Sequence, residues 1–181
     1  MKNWDYGQNG VYFITICTKN REYFFGEIVS ANGENEMQLN EIGKMADAFW
    51  TEIPKHFPFI ELGNYVVMPN HVHGILIINK TNIVDDAVQT LHCNVSTPPI
   101  DENASQKNEQ MSKISPLAGT ISTVIRSYKS VVTRNAHYIH ADFEWQERFH
   151  DHIIRNSESF ERIQNYIQNN VTNWKEDKIY N

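Results

Sequence analysis

The sequence predicts an α+β domain on the ferredoxin-like β-α-β-β-α-β plan, with one additional C-terminal helix. Three observations predict it. A β-branched and aromatic run, VYFITICT at 11–18, opens the chain as a strand. Two further apolar runs, 59–68 and 71–78, are joined by Met68-Pro69-Asn70, turn chemistry that suits a hairpin. Apolar residues recur at helical spacing after the first strand, after the hairpin and near the C-terminus.

The elements follow in order. Asn9-Gly10 is a turn signal ahead of the first strand. Residues 40–55 place Ile42, Met45, Ala46, Phe49 and Ile53 on one helical face, with Asn40 as N-cap and Pro54 near the end. The hairpin 59–78 supplies the second and third strands. Residues 79–114 carry Pro98-Pro99, are polar and keep no period. They read as a long flexible insertion within a single domain spanning 1–181. Helical spacing returns from Ser115-Pro116 to 135 through Leu117, Ile121, Val124, Ile125, Tyr128 and Val132. A short fourth strand is expected at 149–154. The last helix, 156–170, has Asn156 or Ser157 as cap and Phe160, Ile163 and Ile167 on one face.

Composition bounds the function. Hydrophobic residues at 40% and aromatics at 12% can build a core, which argues against global disorder. The longest apolar runs are far too short to span a bilayer, and Met1-Lys2-Asn3-Trp4-Asp5 has no signal-peptide character, so a cytoplasmic location is expected. Cys17 and Cys93 make neither a disulfide framework nor a metal knuckle. The net charge of −6 is not that of a uniformly basic nucleic-acid binder. Residues 115–140, however, hold Arg126, Lys129 and Arg134 with no acidic residue, so a local basic surface is expected.

The sharpest chemical feature is His71-Val72-His73. Strand alternation puts both imidazoles on one face, where they can converge on one metal ion. Two histidines rarely complete a metal site. The last helix offers Tyr166 and Asn170, four apart and so on one face. An amide oxygen from Asn170 would complete the ligand set, and the Tyr166 phenol would lie one turn away as a phosphoryl-transfer nucleophile. Mixed nitrogen and oxygen ligands suit Mn²⁺ or Mg²⁺. Tyr128, beside Lys129, is the competing tyrosine, but position 132 is valine and offers no matching ligand.

The stretch Tyr65-Val-Val-Met-Pro-Asn-His-Val-His-Gly-Ile-Leu resembles the signature of the HUH single-tyrosine transposases, most closely the REP-associated branch. Four other segments resemble that family in the same order. They are Asp5-Tyr6 with the first strand, Ser127-Tyr128-Lys129-Ser130 with Thr133-Arg134, Trp145-Gln146 with the run from Arg148 to Arg155, and Tyr166-Ile167-Gln168-Asn169-Asn170. The similarity covers the chain apart from the insertion. It implies a homodimer that cuts single-stranded DNA carrying hairpin or palindromic repeats, through a 5′-phosphotyrosine intermediate. On this resemblance His71, His73 and Asn170 are the metal ligands and Tyr166 is the nucleophile. DNA-backbone contacts are expected from Arg126, Lys129, Arg134, Arg148, His152 and Arg155.

Two rival readings remain at this stage. One is a domesticated, non-cleaving module that binds single-stranded nucleic acid, with Tyr12 and Phe13 stacking on bases. The other is a metallohydrolase that uses activated water. A trapped protein–DNA adduct separates the first reading from both.

Overall fold

The computed structural model describes residues 6–31, 33–80 and 119–174. Its centre is a four-stranded antiparallel sheet in the order β4-β5-β1-β6. The strands are β1 (Gly10–Cys17), β4 (Ile60–Met68), β5 (His71–Ile78) and β6 (His150–Ile154). The helices are α1 (Glu41–Thr51), the short α2 (Ile53–His56), α3 (Ile121–Ala136) and α4 (Ser157–Gln168). Between β1 and α1 stands a separate hairpin, β2 (Gly26–Ala31) paired with β3 (Glu34–Leu39). Without the hairpin and α4, order and pairing are those of the ferredoxin-like plan.

Alternation along the strands sorts the side chains onto two faces. Tyr12, Ile14, Ile16, Val72, Leu76 and Ile78 face α1 and α3 and build the main core with Ala46, Trp50, Val124, Ile125, Tyr128 and Val132. On the opposite face Ile75 and Ile154 pack beneath Ile163 and Ile167 of α4 in a much smaller cluster, edged by Val11, Phe13, Val66, Ile77 and Phe160. The extra C-terminal helix is therefore the only described helix in the cluster on that face of the sheet.

Several elements differ from the sequence expectation. The helix at 40–55 divides at Glu52 into α1 and α2, with Pro54 in the first turn of α2, where a missing N–H costs nothing. Helix α3 starts at Ile121, later than expected. Gly119 is left-handed at φ +78 and Thr120 is extended, and the Thr120 side chain caps the helix from there. Helix α4 ends at Gln168, so Asn170 lies in the turn beyond it, its N–H bonded to the Ile167 carbonyl at 3.3 Å. Of the expected insertion, residues 81–114 lie outside the described residues, as does Cys93. Asn79 and Lys80 are bonded into the domain, Asn79 N to the Phe59 carbonyl at 2.8 Å and Lys80 N to Asn9 Oδ1 at 3.0 Å. No described helix is long and apolar enough to cross a membrane.

Candidate active site

The β4–β5 turn delivers the two histidines. His71 and His73 are both buried, on the α4 face of the sheet, with ring centroids 4.3 Å apart. Register carries the pair across the sheet: His71 is opposite Cys17 and His73 opposite Thr15 on β1. Gly74, next in the chain, points to the other face and lies directly under the Trp50 indole. A Cβ there would come within 2.3 Å of that ring. The glycine after the second histidine is thus a packing requirement of the main core.

Each imidazole has an oxygen at Nδ1. His71 Nδ1 lies 2.7 Å from Asn70 Oδ1, and His73 Nδ1 lies 2.8 Å from Thr15 Oγ1. The Tyr166 hydroxyl reaches the other nitrogen of His73, 3.1 Å from Nε2. Phe13 stacks on His73 at 5.2 Å and meets Tyr166 edge-on, and Trp174 stacks on His71 at 6.0 Å. Tyr166 and Trp174 therefore touch the two histidines, and buried Asn170 stands between them in the chain, four residues from each. Tyr166 remains 41% exposed, open to a macromolecular substrate. Burial, then the neighbouring His73 and Arg21, lowers the His71 pKa well below its ordinary value and keeps the ring neutral, as a metal ligand must be.

The donors suit a metal. No group of three or more His, Cys, Asp and Glu that could hold an ion exists among the described residues. Among the described residues, the buried Asn170 offers an amide oxygen as a further donor.

The expected DNA-contacting residues divide by location. His152 is in register with Phe13, on the same sheet face as Tyr166. With Arg155 it lines an open cleft of about 460 Å³ at the start of α4. Arg148 is exposed just before β6. Arg126 and Arg134 are exposed on α3, across the sheet from Tyr166. Lys129 is turned inward: its Nζ donates to the Gln146 and Glu147 carbonyls at 2.6 and 3.3 Å, and desolvation lowers its pKa. It fastens the segment before β6 to α3.

Two tyrosines singled out in the sequence are sealed in the core. Tyr128 is 2% exposed, donates to the Ala46 carbonyl at 3.0 Å, and is pushed well above the ordinary tyrosine pKa by burial. No substrate phosphate can reach it. Tyr12 is fully buried and offers no face to a base. Sequence reasoning missed Asn70, Thr15 and Trp174. Asn70 was visible only as turn chemistry, Thr15 only as a strand residue, and Trp174 lies beyond the expected helix.

No protein-family model matches the chain. It is 35% identical over 181 residues to an uncharacterized protein of Haemophilus influenzae, covering 99% of this chain and 90% of that one. The chain belongs to that protein's family. Among solved structures it is similar to a REP-associated tyrosine transposase bound to a REP hairpin, with a TM-score of 0.55. Identity there is 18%, covering 97% of this chain and 74% of the other. The chain thus shares its fold with a structure from the group whose motifs the sequence resembles.

Proposed function

We propose that the protein is a metal-dependent endonuclease and strand transferase that cuts single-stranded DNA at hairpin-containing sites through a 5′-phosphotyrosine intermediate. One observation carries the reading: a half-exposed tyrosine hydroxyl stands 3.1 Å from Nε2 of a buried histidine, with a second buried histidine beside it. In the reaction the Tyr166 oxygen attacks phosphorus and the bond from phosphorus to the 3′ oxygen breaks. The tyrosine proton ends on the departing 3′ oxygen, leaving a free 3′-hydroxyl and the 5′ phosphate on tyrosine. A second 3′-hydroxyl reverses the step and joins a new strand. His71, His73 and Asn170 would hold Mg²⁺ or Mn²⁺, which supplies charge neutralisation at the phosphodiester. Phe13 packs against both His73 and Tyr166 and so holds ring and nucleophile in register.

His152, Arg155 and Arg148 are assigned to the DNA backbone beside the tyrosine. Arg126, Lys129 and Arg134 on α3 are assigned a second backbone contact on the far face, Lys129 only if it gives up its carbonyl partners. A homodimer acting on palindromic repeats accords with the resemblance, and light scattering at micromolar concentration tests it. The deciding experiment incubates the protein with single-stranded hairpin DNA and Mn²⁺, then runs a denaturing gel. A slow protein–DNA band is expected. Metal-dependent cleavage without that band would favour activated water and sink the tyrosine mechanism.

A further inference from the structure

The turn that delivers the histidines is held by the loop after β1. Phe25 N donates to the Pro69 carbonyl at 3.0 Å and Thr18 N to the Asn70 carbonyl at 2.9 Å. The Asn70 side chain, fully buried, donates through Nδ2 to the Arg21 carbonyl at 3.3 Å. That carbonyl belongs to a strained stretch: Asn20 and Arg21 are both left-handed, at φ 52 and 58. Asparagine takes this region readily but arginine seldom does, and such strain persists where the surrounding structure over-determines it, often at functional sites.

These contacts fix the chemistry of Asn70. A carbonyl only accepts, so the side-chain nitrogen must face Arg21 and Oδ1 must face His71. Oδ1 in turn only accepts, so His71 Nδ1 must carry a proton. The nitrogen left with a lone pair is Nε2. Thr15 stands at the equivalent nitrogen of His73, opposite the Tyr166 hydroxyl.

We propose that Asn70, locked by the strained Arg21 carbonyl, is a positioning residue that holds His71 in the Nδ1–H tautomer, so that this ring offers Nε2 as its ligand nitrogen. The purpose rests on the metal-site reading above; the tautomer itself is a property of the free protein. An unconstrained neutral imidazole favours the opposite, Nε2–H form, so without Asn70 the proton moves onto the nitrogen a metal requires. Outer-shell partners of this kind typically change metal affinity about 10- to 100-fold.

The test uses full-length protein labelled with ¹⁵N-histidine, in chelator at neutral pH. Imidazole ¹⁵N shifts are expected to show His71 protonated at Nδ1 in the wild type. Asn70→Ala should move His71 toward Nε2–H and weaken Mn²⁺ binding about 10- to 100-fold by calorimetry. Asn70→Asp keeps an acceptor at Nδ1 and should keep the tautomer. Thr15→Val changes the other ring's partner and should leave the His71 tautomer unchanged. If Asn70→Ala does not fold, the wild-type spectrum still decides. An Nε2–H His71 in the wild type overturns the proposal, as does a folded Asn70→Ala protein with unchanged tautomer and Mn²⁺ affinity. A wild type with the expected tautomer but no DNA adduct would sink the nuclease reading and leave this assignment standing.

Discussion

Tyr166→Phe removes the hydroxyl that the proposed mechanism uses as nucleophile and keeps the ring that meets Phe13 edge-on. The covalent adduct on a denaturing gel should vanish, while stability changes by about 1 kcal/mol or less, because only a half-exposed hydroxyl is lost. Tyr128→Phe is the matched control. It breaks a buried hydrogen bond to the Ala46 carbonyl and should cost about 1 kcal/mol, yet still form the adduct. His71 makes a separate prediction about pH. Its folded pKa lies below the ordinary 6.5, so the unfolded chain takes up a proton first as the pH falls. Stability is full above about 6.5 and declines as the pH drops toward the folded pKa. Urea midpoints between neutral and mildly acid pH should fall less steeply in His71→Gln than in the wild type. At this scale the histidine pair was legible because strand alternation alone puts positions 71 and 73 on one face. Asn70 was not, because its role depends on a carbonyl almost fifty residues earlier in the chain.

At the scale of elements, β5 is wedged between two layers, and Gly74 has no room for a side chain against Trp50. Gly74→Ala would drive a methyl into the Trp50 indole and should destabilise the fold by about 1–3 kcal/mol, read by urea unfolding. The flanking histidines should move with the strand, so the adduct yield should fall as well. Helix α4 begins with Asn156, whose side chain accepts from Ser159 N at 2.8 Å. Asn156→Ala should cost about 1 kcal/mol in thermal or urea unfolding. The four sheet strands and the main helices could be read from period and turn residues. The β2–β3 hairpin could not: β3 alternates exposed and half-buried residues and buries none fully, so its apolar signal is thin. Its use is also non-local, since Asn35 Nδ2 donates to the Thr172 carbonyl at 3.0 Å and ties down the turn that leads to Trp174.

On the scale of the molecule, the element order was enough to anticipate the sheet order, because antiparallel β-α-β-β-α-β chains have few unknotted ways to close. Which face α4 would take was not legible, since its apolar stripe fits either side of a sheet buried on both. The answer divides the fold unequally. A broad core joins α1 and α3 to the sheet, whereas α4 is held mainly by Ile163 and Ile167 over Ile75 and Ile154, by its cap, and by the Asn35 tether. Local opening free energies track such differences in apolar burial. Amide protons along α4 should therefore exchange with solvent faster than those of β1 and β5, under conditions where the sheet exchanges only by global unfolding. A helix that can lift from an intact sheet behaves as a separate cooperative unit. On the proposed mechanism, a strand end esterified to Tyr166 would ride on that unit while the histidines stay where the sheet holds them.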